Sequence, residues 1–384
     1  MLYKLRDIFD LQMGKTPSRD NNMYWKDGNL PWVSISDLSK SQIYIENSKE
    51  LITKFAVKDT LVKCIPKDTV IMSFKLSLGK TAITRKPLYT NEAIMAFIDK
   101  KVIQIEPKYI YFLFSYIQWG QFTNNAVKGK TLNKKFFSDF QINIPKYTQQ
   151  TKVSSILIRI NKILEYKRSL IEIYDALIKS RFDELFLNTH SIETMEIGEL
   201  FEVGSSKRIL QSELTTYGIP FYRVTDLINR INDRPVDIKQ YVDELKYMTL
   251  IKEKYVPQAG DFLITARGTI GKIYEVKQND KFYFQDGMIT WLKRKNNYIN
   301  NLFFMELVKT DWFRRQFYSS NNGTTISYLS ITDTRHLKVL LPALNLQLQF
   351  AQEVYQINKL KSDVQKSIDE TQLLMDSLMQ EYFG

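Results

Sequence analysis

The chain has 384 residues, 44% of them hydrophobic and 25% charged, which fits a soluble globular protein of two or three domains with real cores. A single cysteine, Cys64, excludes an internal disulfide framework and fits a reducing, intracellular compartment. The N-terminus carries charges where a signal peptide needs an apolar run, no stretch approaches the length of a membrane span, and the net charge of +12 favours polyanionic partners, nucleic acid first.

In chain order, the segments KDTVIMSF (67–74), TAITRKP (81–87) and NEAIMAFI (91–98) have the β-branched and aromatic content of strands. YIYFLFSYIQWGQF (109–122) predicts a helix whose aromatic stripe fills a core. A long segment without Pro or Gly follows. Val153, Ile156/Leu157, Ile160, Ile163/Leu164, Lys167, Leu170/Ile171, Tyr174 and Leu177/Ile178 recur along it at close to 3.5 residues. The polar stretch 187–194 reads as a connection. Strand-like GDFLITA (260–266), GKIYEV (271–276) and MITWLKR (288–294) come next, then a helical, aromatic 298–317. A second long segment ends the chain, with Phe350, Val354, Ile357, Leu360, Val364, Ile368, Thr371, Leu374/Met375 and Leu378 on its stripe.

The order of elements is stated twice. Residues 144–186 and 341–383 overlay without a gap at a constant shift of 197. Pro145 falls on Pro342, Gln150 on Gln347 and Phe186 on Phe383. Upstream the match continues with shifts between 189 and 194: LPWVSISDL (30–38) on IPFYRVTDL (219–227), and SFKLSLGK (73–80) on TARGTIGK (265–272). Two copies of one architectural unit are expected, each a variable globular part followed by a segment of fixed length. The predicted domains are 1–145, 146–188, 189–342 and 343–384.

Heptad-like stripes of this length argue for coiled-coil pairing of the two long helices, against a plain amphipathic helix lying on a core. Residues 146–190 carry net +3 and residues 343–384 net −3, so the helices suit one another electrostatically.

No catalytic constellation appears. Gly14-Lys15, Gly79-Lys80, Gly129-Lys130 and Gly271-Lys272 lack the first glycine of a P-loop. The chain has two histidines, His190 and His336, and one cysteine, a poor supply for a zinc site. Neither a nucleophile elbow nor an amino-methyltransferase motif is present.

Paired loops do look suited to phosphates and bases, combining Gly, hydroxyls and Lys/Arg at matching places. In the first copy the candidates are Lys15, Thr16, Ser18, Arg19, Ser34, Ser36, Lys75, Ser77, Lys80, Lys128, Lys130 and Lys134. In the second they are Ser206, Lys207, Arg208, Arg223, Thr225, Arg267, Thr269, Lys272, Asn321, Asn322, Thr324 and Thr325. Arginine suits bidentate contact with guanine, and asparagine with adenine.

This duplicated series resembles the specificity (S) subunit of bacterial type I restriction–modification systems, over essentially the whole chain. The resemblance implies an α/β (α+β) architecture of two target-recognition domains of mixed strands and helices. Each is followed by a long helix, and the two helices pair as an antiparallel coiled coil with internal pseudo-two-fold symmetry. It implies a cytoplasmic, non-catalytic subunit that reads a bipartite site on double-stranded DNA and holds no cofactor. Two methyltransferase (modification) subunits are the implied partners, joined by restriction/translocase subunits in the complex. Candidate docking positions on the helices are Ile160, Leu164, Ile171, Leu177, Ile357, Val364, Leu374 and Leu378. Two other classes stay open at this point: a scaffold or inhibitory protein that uses the same fold without sequence preference, and a stand-alone nuclease or methyltransferase.

Overall fold

The computed structural model describes residues 1–123, 132–188, 192–317 and 328–384. The chain divides into two units, and the division falls inside the long helices. One unit comprises Met1–Arg168 with Lys366–Gly384, the other Ser169–Gln365.

In the first unit, strand Leu2–Lys4 pairs antiparallel with Gln141–Asn143, so the start of the globular part is tied to its exit. A five-stranded sheet has the order Phe9–Met13, Ile94–Asp99, Val70–Ser73, Thr81–Thr84, Tyr44–Ile45. Its neighbours are antiparallel except the last pair, which is parallel. Strand Val70–Ser73 is buried along its whole length, which is why it reads as a continuous apolar run ending in serine. A three-stranded sheet, Glu50–Ile52, Leu30–Val33 and Tyr89–Thr90, completes the globular part of this unit, which corresponds to the first expected target-recognition domain, or reader. The helix predicted over 109–122 is Pro107–Tyr116, followed by a short 3₁₀ turn, Trp119–Phe122. Pro107 at its first turn costs no hydrogen bond there, because that N–H has no helical partner anyway. Tyr109, Phe112 and Phe114 on it are core, as expected, while Tyr111 and Tyr116 are half-buried; Phe114 meets Phe97 of the sheet with ring centroids 4.7 Å apart.

The second unit repeats the plan. Thr194–Glu196 pairs with Lys338–Leu340. One four-stranded sheet has the order Phe201–Gly204, Ile289–Arg294, Phe262–Thr265, Ile273–Glu275. The other has the order Leu214–Thr215, Tyr241–Val242, Ile219–Tyr222, Tyr283–Phe284. The segment predicted as one helix over 298–317 breaks into Asn301–Lys309, Asp311–Arg314 and a 3₁₀ turn. The break falls at Thr310, whose hydroxyl accepts from Phe313 N–H and caps a new helix.

The long helices are Tyr147–Phe182, continued by a π turn Asp183–Leu187, and Leu344–Phe383. Each is anchored at its start by a buried glutamine, 1% exposed at Gln150 and 0% at Gln347. Gln150 Oε1 accepts from Glu106 N–H at 2.9 Å, while Nε2 donates to the carbonyls of Gln104 and Pro145. Gln347 does the same with Asn300 N–H at 2.8 Å and the carbonyls of Tyr298 and Pro342. A carboxylate could not replace either side chain, since it has no N–H to donate.

Within the second unit the two helices run in opposite directions. Arg181 pairs with Glu353 at 2.8 Å, and Asp175 with Lys361. Within the first, Lys167 Nζ donates to Ser367 O, Ser367 Oγ and Thr371 Oγ1 at 3.0, 2.7 and 2.6 Å. The inward stripe is close to the one read from the sequence, with one correction. Leu360 is 48% exposed, and Lys361 beside it is half-buried. A strict 3.5-residue count drifts by ~20° per heptad from a straight 3.6-residue helix, enough to move the stripe by one position.

The helix ends are aromatic plugs. Phe182 and Phe186 pack on Phe303 of the second reader, with centroids 5.5 and 4.9 Å apart. Phe383 packs on Tyr109 of the first reader at 5.2 Å. Each unit therefore holds one reader, the start of the helix leaving it and the end of the other helix.

Candidate nucleic-acid interface

Basic side chains alone do not make an interface, because an arginine already engaged by a carboxylate has little left for a phosphate or base. The predicted residues separate on this criterion.

In the first reader the loop 14–19 is stitched into the fold. Gly14 lies so close to the Thr90 and Asn91 backbone that a Cβ there would stand 2.2 Å from Asn91 O. Lys15 Nζ donates to Thr60 O at 2.7 Å, and Thr16 donates to Glu92. Trp25 Nε1 donates to the carbonyl of Ser18, and Trp32 Nε1 to that of Lys15. Arg19 makes a two-pronged pair with Glu50, its Nη2 at 3.0 Å from Oε2, and its guanidinium lies 4.0 Å from the Trp25 ring centroid and 4.9 Å from that of Trp32. The hydrogen bond to Glu50 raises the Arg19 pKa and holds the Glu50 carboxyl below the usual range. Ser34 caps the helix Ile35–Lys40 in a reciprocal box with Asp37. Ser36, two residues on, is exposed.

The second reader treats its 204–208 segment likewise. Ser206 is buried and donates to Phe284 O at 2.8 Å. Lys207 pairs with Glu253 and Arg208 with Asp286, both at 2.8 Å. The hydrogen bond to Glu253 raises the Lys207 pKa. Arg223 donates to Gln240 Oε1 at 2.6 Å and lines, with Thr225, Asn229 and Lys239, an open groove of about 540 Å³. Sequence reasoning named the basic and hydroxyl residues but not Glu50, Glu92, Glu253, Gln240 or Asp286, the acceptors that occupy Arg19, Thr16, Lys207, Arg223 and Arg208. No local signal could have found these, since the partners lie 17 to 78 residues away along the chain.

The hairpin turns are different. Lys75, Ser77 and Lys80 lie on the turn between strands Val70–Ser73 and Thr81–Thr84, and Arg267, Thr269 and Lys272 on the turn between Phe262–Thr265 and Ile273–Glu275. Among the described residues none of these four cations makes an ion pair with a carboxylate. Lys75 Nζ sits 5.3 Å from the Phe74 ring centroid, and the Arg267 guanidinium 4.4 Å from that of Tyr328. Lys134 is exposed at the start of helix Lys134–Asp139. Lys128, Lys130, Asn321, Asn322, Thr324 and Thr325 lie outside the described residues, as does His190.

On the helices, Ile160 and Leu164 are buried, and Ile171, Ile357, Val364 and Leu378 are half-buried. Leu177 and Leu374, which correspond under the 197-residue shift, are 48% and 51% exposed. Among the described residues no three His, Cys, Asp or Glu side chains gather to hold a metal ion, and no helix is long and apolar enough to cross a membrane.

Comparison with known proteins bears on the family and the fold. The family model described as the type I restriction modification DNA specificity domain matches twice, over residues 1–173 and 190–370. The chain is 25% identical over 370 residues to the type I restriction enzyme MjaIX specificity subunit of Methanocaldococcus jannaschii, covering 88% of this chain and 82% of that one. It is 28% identical over 153 residues to the EcoR124I/EcoR124II specificity subunit of Escherichia coli, covering 38% of this chain and 36% of that one. The crystal structure of the type I restriction–modification S subunit from M. genitalium shares the fold, with a TM-score of 0.56, 16% identity, and coverage of 100% of this chain and 96% of that one. A chain from a study of the assembly and conformational transition of the type I R-M system does so at a TM-score of 0.65 and 14% identity, covering 100% of this chain and 97% of that one.

Proposed function

The chain belongs to the type I restriction–modification DNA specificity family, and from that premise we propose that it reads a bipartite, asymmetric site on double-stranded DNA and directs modification and restriction subunits to it. Each reader takes one short block of the site. The two long helices act as the ruler between the blocks, and they supply the docking surface for two methyltransferase subunits, with Leu177 and Leu374 as exposed apolar points on it. The restriction/translocase subunits join through that assembly. The chain itself is non-catalytic and needs no cofactor, and it works in the cytoplasm.

The observation that carries this reading is one reader scaffold present twice, with different side chains on matching turns, each leading into a long helical segment that overlays on the other without a gap at a constant shift of 197 residues. Variable side chains on a constant backbone are what reading two different sequences requires. A constant helix length is what a fixed spacing requires, at ~1.5 Å per residue.

The test is methylation mapping of DNA exposed to the complex of this chain with its methyltransferase. A two-block motif is expected. Exchanging residues 1–145 for another reader should change one block alone. Inserting ~4 residues, about one helical turn, into both helices should change the spacer alone. DNA binding with a steep salt dependence but no preferred sequence would overturn the reading.

A further inference from the structure

The turns at 73–80 and 265–272 are the same device built from different residues. In the first, Ser73 Oγ donates to Ser77 O and accepts from Lys80 N–H at 3.0 Å, while Gly79 N–H donates to Ser73 O at 2.9 Å. In the second, Thr265 Oγ1 donates to Thr269 O and accepts from Lys272 N–H at 3.0 Å, while Gly271 N–H donates to Thr265 O at 2.9 Å. Gly79 and Gly271 share a left-handed φ, +80° and +77°, and each lies under an aromatic ring, Trp119 or Phe317. Each turn is held from the other side as well: Leu132 N–H donates to Phe74 O, and Leu329 N–H to Ala266 O. The base of the turn is thus fixed by matching bonds in both readers.

The tips differ. At matching positions stand Lys75, Leu76 and Ser77 in one turn, and Arg267, Gly268 and Thr269 in the other. Leu76 has φ +63° and Gly268 φ +72°, so the backbone shape is kept where the side chain is not. A left-handed φ is natural for glycine and costly for leucine, and this leucine is 74% exposed, so the core gains little from it. An exposed apolar side chain kept in a strained conformation points to a role outside the fold. Arg267, meanwhile, keeps its guanidinium free of carboxylates among the described residues, braced against Tyr328, while Arg19 and Arg208 are held by Glu50 and Asp286.

We propose that these two tips are equivalent base-reading positions, one per reader, with Arg267 donating two hydrogen bonds to the edge of a guanine and Leu76 packing on the 5-methyl of a thymine. This rests on the DNA-reading function proposed above and assigns the readout within it. An arginine fork matches the two acceptors that guanine presents in the major groove, and the thymine methyl is the apolar feature available there. A tip fixed at its base delivers either side chain without further ordering cost.

The experiment is methylation-motif mapping with the intact complex carrying Arg267→Ala, Arg267→Lys or Leu76→Gly, with thermal melting of each as a folding control. For Arg267→Ala, discrimination at one guanine of one block should fall about 10- to 100-fold, with the other block unchanged. Arg267→Lys should retain part of that preference. Leu76→Gly should relax one position of the other block; it relieves the left-handed strain, so it should melt no earlier than the wild type. Motifs left at wild-type stringency by both Arg267→Ala and Leu76→Gly, or activity weakened evenly at all positions as for a phosphate contact, would overturn this inference alone. A wild-type complex that methylates no bipartite motif would overturn the proposed function with it.

Discussion

The loop 14–19 and the turn 73–80 of the first reader have nearly the same chemical content, glycine, hydroxyls and two cations each, and the fold uses them in opposite ways. In the loop, Thr60, Glu92, Glu50 and two tryptophans take up Lys15, Thr16 and Arg19. In the turn, the hydrogen-bonding capacity that shapes the backbone comes from buried Ser73, and the tip side chains are left over. What makes a basic segment a candidate contact is therefore where its neighbours' acceptors lie, not its own composition. The same contrast recurs in the second reader between 204–208 and 265–272.

The sharpest way to break the comparison is to remove the support of a turn. Gly271→Ala places a Cβ 2.4 Å from the Phe317 ring at φ +77°, so it adds a left-handed penalty to a buried clash. A loss of about 3 kcal/mol is expected, measured as a lower urea midpoint. Gln347→Leu is expected to cost about 2 kcal/mol by the same measurement, because Asn300 N–H is left buried without an acceptor while the shape is nearly kept. Next, Lys80→Ala should lower the slope of log affinity against log salt for DNA binding by about one, as for a lost phosphate contact. Arg19→Ala should leave that slope unchanged and instead cost about 1 kcal/mol of stability, through the lost ring stacking and ion pair. If Arg19→Ala moved the salt slope and Lys80→Ala did not, the distinction between loop and turn would be reversed. The smallest effect concerns pH. The hydrogen bond from Arg181 holds the Glu353 carboxyl below its usual value. Its contribution is therefore present above the ordinary carboxylate range and lost as pH falls through the lowered value. A pH series of urea midpoints should show Glu353→Gln flattening the acid side of the profile.

Several parts of this protein were legible because they are local or because they repeat. The long helices follow from periodic apolar residues without Pro or Gly, and Gln150 and Gln347 stood out through their common offset from Pro145 and Pro342. The core role of the aromatic helices was legible from their stripes. The break at Thr310 was not, since a hydroxyl able to cap a new helix is equally at home inside one. The drift of the stripe at Leu360 and Lys361 was not either, because two adjacent positions at that spacing compete, and the partner helix, 186 residues from Lys361 at Asp175, decides between them.

The sequence by itself determined that one reader-and-helix unit occurs twice, that the segments carrying the long helices overlay without a gap, and that cations and hydroxyls concentrate in paired loops. These are properties of spacing and composition, and they survive without knowledge of any contact. Only the tertiary structure decided that each unit takes the end of the other helix as a plug on its own reader, at Phe186 on Phe303 and Phe383 on Tyr109. It alone also separated the cations that are consumed from those that are presented. Both outcomes depend on groups brought together from far apart in the chain, and pairing of that kind leaves no periodicity to read.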